Sequence, residues 1–140
     1  MNRSTINVST LDLSKAFDRV NHYALLIKLM EREIPNQIIN ILNTWFSISI
    51  TCINWDRHVS KFLKLSAGVR QGGVLSPLLF AIFIDGIIQK AADCNSGCFA
   101  SFMFVNIFIY DDDIILLAPT VTELQCLLNV CESELVKLDM

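Results

Sequence analysis

The chain has 140 residues, a net charge of −3 and a sequence pI near 5.2, so one domain is expected, and the basic footprint of a free-standing nucleic-acid binder is lacking. Hydrophobic residues make up 53% and charged residues only 18%. That is enough for a core but leaves few charges to solvate a surface, the composition of a buried piece whose apolar faces expect partners.

In chain order, residues 6–13 read as a strand leading into a turn. Residues 22–33 place Leu25, Leu26, Leu29 and Met30 on one face of an amphipathic helix. Pro35 marks the start of a second helix over 37–46. Residues 49–55 and 59–65 read as two strands of a hairpin around Asp56-Arg57-His58. A glycine-containing loop over 67–73 follows, then a helix capped by Ser76 with Pro77 at its first position, running to about Ala92. Asn95-Ser96-Gly97 breaks that helix. Residues 99–105 and 107–118 read as strands, the second interrupted by an acidic turn, and Thr120 or Thr122 opens a last helix. Helices around a mainly antiparallel sheet make the expected class α+β.

The five cysteines, Cys52, Cys94, Cys98, Cys126 and Cys131, form no Cys-x-x-Cys pair and have no histidine cluster. Reduced, mostly buried thiols of an intracellular protein are the expectation, not a zinc site. No apolar core follows Met1-Asn-Arg-Ser-Thr-Ile6, so no signal peptide is read. The longest apolar stretches, 78–84 and 99–110, fall short of the roughly 20 residues that span a bilayer.

The chemistry concentrates in Tyr110-Asp-Asp-Asp113, three carboxylates between two apolar strand-forming runs. Aspartate favours tight turns, yet three in a row exceed what a turn needs, and like charges held together repel. Hard oxygen ligands of this kind suit Mg²⁺. Strand alternation points Asp111 and Asp113 to one side and Asp112 to the other, unless the turn breaks the pleat. Asp12 ends the first strand; taken alone it is a turn or cap residue, but with the acidic tip it supplies the second strand of a two-metal phosphoryl-transfer site. Asp18 reads as structural, through Arg19 or as a helix cap, and His22 and His58 stand apart without partners. In the loop Gly68-Val-Arg-Gln-Gly-Gly73, backbone N–H groups and Arg70 suit a phosphate, though an ordinary loop is the default.

In this order, the segments Leu11-Asp-Leu-Ser-Lys-Ala-Phe-Asp-Arg-Val-Asn-His22, Gly68-Val-Arg-Gln-Gly-Gly-Val-Leu-Ser-Pro-Leu-Leu-Phe80 and Tyr110-Asp-Asp-Asp113 resemble the palm motifs of reverse transcriptases, those of non-LTR (LINE-type) retrotransposons above all. The resemblance runs from about Ser9 to Leu138 and implies one partial domain over 1–140, a polymerase palm of antiparallel sheet backed by helices, lacking most of the fingers and thumb. It implies Asp12, Asp112 and Asp113 as catalytic residues, binding two Mg²⁺ ions with the help of the Leu13 carbonyl. It implies Phe17 as a steric gate against a 2′-hydroxyl, and Arg70, Gln71, Gly72 and Tyr110 as nucleotide-binding residues.

The partners so implied are an RNA template, a DNA primer and deoxynucleoside triphosphates, with no membrane and with residence in the nucleus or cytoplasm. The family commonly has a small or apolar residue, often Ala, where this chain has Asp111, and a carboxylate there should repel phosphates. With fingers, thumb and an uncharged residue 111 all lacking, the chain alone is expected to be inactive, and the rival reading is a non-enzymatic retroelement relic or a domesticated binding module. A viral RNA-dependent RNA polymerase shares the metal logic but fits the bulky Phe17 less well.

Overall fold

The computed structural model describes residues 5–100 and 102–140. Strand β1 (Asn7–Asp12) alternates half-buried and exposed residues, as a strand with one covered face should. A short 3-10 turn, Ala16–Arg19, follows, with the Ala16 amide donating to the Leu13 carbonyl at 3.1 Å. Helix α1 (His22–Glu31) is capped by Asn21, whose side chain accepts from the Tyr23 and Ala24 amides at 3.0 and 3.1 Å. Asn21, not Asp18, is thus the cap. The helix stops two residues earlier than expected because Glu33 takes a left-handed φ of 57°.

Helix α2 (Asn36–Ile48) buries Ile39, Leu42 and Phe46 at helical spacing. Pro35 occupies its N-cap position, one residue before the first helical one, in an extended conformation that suits the ring. The expected hairpin forms in pieces: β2 (Ile50–Thr51), β3 (Asn54–Trp55), β4 (His58–Val59) and β5 (Leu63–Lys64), with β2 paired to β5 and β3 to β4. Ser60 interrupts the ladder. Its hydroxyl accepts from the Ile53 amide at 2.9 Å while its own amide donates to the Ile53 carbonyl at 2.8 Å. Asp56 and Arg57 turn the chain with φ of 41° and 68°, the sign pattern of a two-residue hairpin turn, and His58 belongs to the strand.

Helix α3 (Ser76–Asp93) ends where Asn95 goes left-handed. The single strand expected over 99–105 is instead a hairpin, β6 (Cys98–Ala100) against β7 (Met103–Val105); Ser101 lies outside the described residues. No Gly, Asn or Pro marks that reversal in the sequence. Strands β8 (Ile107–Tyr110) and β9 (Asp113–Ala118) form the acidic hairpin, and α4 (Val121–Lys137) starts at Thr120, whose hydroxyl accepts from the Glu123 amide at 3.2 Å.

The main sheet is antiparallel, in the order β1-β9-β8, and α4 packs on β9 and β1. Ile114, Leu116 and Ala118 on β9, with Leu127 and Cys131 on α4, have no exposed surface. The architecture is the expected α+β arrangement of an antiparallel sheet backed by helix. The chain divides into two compact units: one from the segments up to Phe17 and from Ile84 onward, holding the sheet, and one from Asp18–Phe83, holding α1, α2 and the broken hairpin. In the second unit α1 packs against α2. No helix among the described residues is long and apolar enough to cross a membrane.

Candidate active site

The register of the sheet sets the site. Asp12 of β1 lies directly opposite Asp113 of β9, and Asp113 lies directly opposite Tyr110 of β8. Directly opposed residues of an antiparallel pair share a face, with Cβ atoms about 4.5–5.5 Å apart. Asp12, Asp113 and Tyr110 therefore form one rung across the end of the sheet, all three exposed. Val8, Thr10 and Phe108 continue that open face.

The opposite face carries the buried Ile114, Leu116 and Ala118. Slipping β9 by one residue would turn those three outward, so the apolar alternation is what holds the carboxylates in register.

Asp111 and Asp112 are the two turn residues between β8 and β9, so the turn does break the pleat and their sides do not follow strand alternation. Asp111 has a φ of 49°, a region that Asp enters more readily than most residues. The Asp112 carbonyl accepts from the Leu13 amide at 3.0 Å, which ties the acidic turn to the end of β1. The Leu13 carbonyl accepts from Ala16 and so has one lone pair engaged. Phe17, half-buried in the 3-10 turn, belongs to the same compact unit. Among the described residues no three carboxylate, His or Cys side chains gather as a ready-made metal cage. The candidate site is a rung of two opposed aspartates with two more, Asp111 and Asp112, in the adjoining turn.

Arg70, Gln71 and Gly72 lie in the second unit, all exposed, in a loop closed by the Gly73 amide donating to the Arg70 carbonyl at 3.0 Å. The Ser76 hydroxyl also donates to that carbonyl, at 2.5 Å; it fastens the loop rather than capping α3 as expected. Gly72 has a φ of 76°, and a side chain built there would meet nothing within 4 Å, so its backbone is open to an approaching group. At Gly73 a Cβ would come within 2.7 Å of the Ser76 hydroxyl, which explains glycine there by close packing. His22, expected to lack partners, is buried: its Nε2 lies 2.7 Å from the Gly68 carbonyl and its ring stacks on Phe46. Sequence carried no signal for this, because the partner is a backbone oxygen 46 residues away.

The thiols depart from expectation too. Only Cys131 is fully buried; Cys126 is exposed and the other three are half-buried, all unbridged. Burial, reinforced by Cys94, pushes the Cys131 thiol up to about 11. Cys94 is raised as well, by burial first and then by a hydrogen bond with Cys126.

Residues 2–140 match the family described as reverse transcriptase (RNA-dependent DNA polymerase). The chain belongs to the reverse transcriptase family. Its relatives place it among the non-LTR elements. It is 30% identical over 128 residues to the Pol polyprotein of the type-1 retrotransposable element R2 of Nasonia vitripennis, covering 91% of this chain and 12% of that protein. It is 36% identical over 73 residues to the RNA-directed DNA polymerase of the mobile element jockey of Drosophila melanogaster, covering 52% of this chain and 8% of that one. The chain thus spans only about a tenth of the length of these relatives. In fold it resembles an apo telomerase of Candida tropicalis, with a TM-score of 0.62, 17% identity, and coverage of 94% of this chain and 27% of that one.

Proposed function

We propose that residues 1–140 are one partial reverse transcriptase domain, the palm, supplying the metal-binding carboxylates of an RNA-directed DNA polymerase of a LINE-type mobile element. The observation that carries this reading is the rung of Asp12 opposite Asp113 on an open sheet face. Two hard carboxylates side by side fit Mg²⁺, which takes one or two carboxylates and completes its shell with substrate phosphates and water. Asp12, Asp112, Asp113 and the Leu13 carbonyl would hold two such ions, which when bound lower the pKa of a primer 3′-hydroxyl and neutralise a leaving pyrophosphate.

The protein's own residues position and select; little acid–base chemistry is asked of them. The Leu13 amide holds the acidic turn against the end of β1, so Asp112 is carried on the same support as Asp12. Tyr110 extends the rung with an aromatic face for the nucleotide or primer end. Phe17 acts as the gate that excludes a 2′-hydroxyl, the group that distinguishes RNA from DNA precursors. Arg70, Gln71 and the bare backbone of Gly72 contact the nucleotide and its phosphates.

Template, primer and deoxynucleoside triphosphates are the partners of the whole polymerase. A net charge of −3 argues against a strong electrostatic grip on nucleic acid by these residues, and the Asp111 carboxylate would repel phosphates, so the 140 residues alone are expected not to sustain synthesis.

RNA-templated primer extension by the polymerase that carries these residues tests the reading. Asp12→Asn is expected to reduce extension by about a thousandfold or more. Extension retained in that variant would sink the assignment, and extension by the 140 residues alone, abolished by Asp12→Ala, would sink the claim that they are insufficient.

A further inference from the structure

We propose that His22 is a positioning residue: it latches the glycine loop that carries Gln71 and Gly72. Both backbone groups of Gly68 are held by one short segment. The Gly68 amide donates to the Val20 carbonyl at 2.8 Å, and its carbonyl lies 2.7 Å from His22 Nε2. A carbonyl only accepts, so Nε2 carries the proton, which fixes the ring's hydrogen-bonding role. The ring is buried and stacked on Phe46, with centroids 4.2 Å apart and planes 8° from parallel, so it has no freedom to swing away. Asn21 beside it caps α1, so the whole segment is anchored to a helix end.

The loop needs such a latch. Gly68 and Gly72 both take positive φ, and glycine is the residue with most freedom to lose. His22 fastens the loop at Gly68, and the Arg70 carbonyl is held by both the Gly73 amide and the Ser76 hydroxyl, so Gln71 and Gly72 form the tip between Arg70 and Gly73, just beyond the His22 anchor. Losing the His22 donor also leaves the carbonyl of a half-buried residue without that partner. The consequence for nucleotide binding rests on the function proposed above; the latch itself does not.

Two substitutions separate hydrogen bonding from packing. His22→Gln keeps a donor near the Nε2 position and loses the stack; His22→Phe keeps the stack and loses the donor. In the polymerase that carries the chain, His22→Phe is expected to raise the KM for deoxynucleoside triphosphate about tenfold with kcat within about twofold. Amide exchange at Gly68–Gly73 should accelerate by a similar factor, while His22→Gln stays near wild type in both. His22→Leu takes the place of the Phe variant if that fails to fold. Wild-type behaviour of the donor-less variant, or failure of Gln with retention by Phe, would make His22 a packing residue and overturn the proposal. If the wild-type polymerase extends no primer, the polymerase reading fails, and amide exchange alone decides the latch: faster in Phe but not in Gln upholds it, unchanged in Phe overturns it.

Discussion

Asp12 and Asp113 face each other across adjacent strands, and like charges directly opposite one another destabilise a sheet. Neutralising one should therefore stabilise the chain. Asp113→Asn is expected to raise the urea midpoint in metal-free buffer by the equivalent of about 0.2–1 kcal/mol. The wild type should gain stability on adding Mg²⁺ and the variant should not; urea titrations with and without Mg²⁺ check both.

At Asp111 the demand is on the backbone. With φ at 49°, Asn should be tolerated better than Ala by about 1 kcal/mol, and comparing the two uncharged variants isolates the backbone effect from the charge. Equal stability of Asp111→Asn and Asp111→Ala would contradict this. The identity of the acidic residues was plain in the sequence. What was not legible was the pairing of Asp12 with Asp113 rather than Asp112, because the position of a turn decides it, and strand alternation cannot be read through a turn.

Among the elements, β9 contributes most to the site, since it joins β1 to β8 and buries one whole face. Leu116→Ala, in the middle of that face, is expected to cost about 2–5 kcal/mol, read from chemical denaturation. An effect under about 1 kcal/mol would mean that the β9 core is not what fixes the carboxylate register. Long periodic elements such as α2 and α4 were legible from their apolar spacing. The hairpin of β6 and β7 was not, because an apolar run without turn residues looks the same whether it continues or folds back. The broken hairpin of β2 to β5 escaped for a related reason: a Ser60 hydroxyl replaces a ladder bond, and sequence does not show where a side chain will compete with the backbone.

On α4, Cys131 makes stability depend on alkaline pH. Its folded thiol titrates near 11 against an ordinary 9.0, so the folded state keeps the proton longer. That contribution is full below about pH 9 and is lost as pH rises toward about 11. Cys131→Ala should flatten the decline in urea midpoint across that window relative to wild type; an unchanged slope would contradict it.

At the scale of the whole molecule, the sheet unit is discontinuous: β1 reaches β9 across more than a hundred residues, with the Asn7 side chain bonded to the Ala118 carbonyl at a separation of 111. Pairing of that range closes late and slowly in folding. The rung of Asp12, Asp113 and Tyr110 therefore exists only once the chain's distant segments have met, whereas the loop latched by His22 is built within one unit from residues 46 apart. Large apolar side chains such as Trp55, Phe62 and Phe102 stand in solvent, as the high hydrophobic fraction anticipated.

The central claim is that one rung of the sheet binds the divalent cation. Mn²⁺ in place of Mg²⁺ broadens NMR signals of nuclei close to it, so a titration on the ¹⁵N-labelled chain reads the location directly. Broadening is expected first at residues 11–13 and 110–114, and it should vanish in Asp12→Asn. Even broadening over all acidic surface residues, or the same local pattern in Asp12→Asn, would contradict the account.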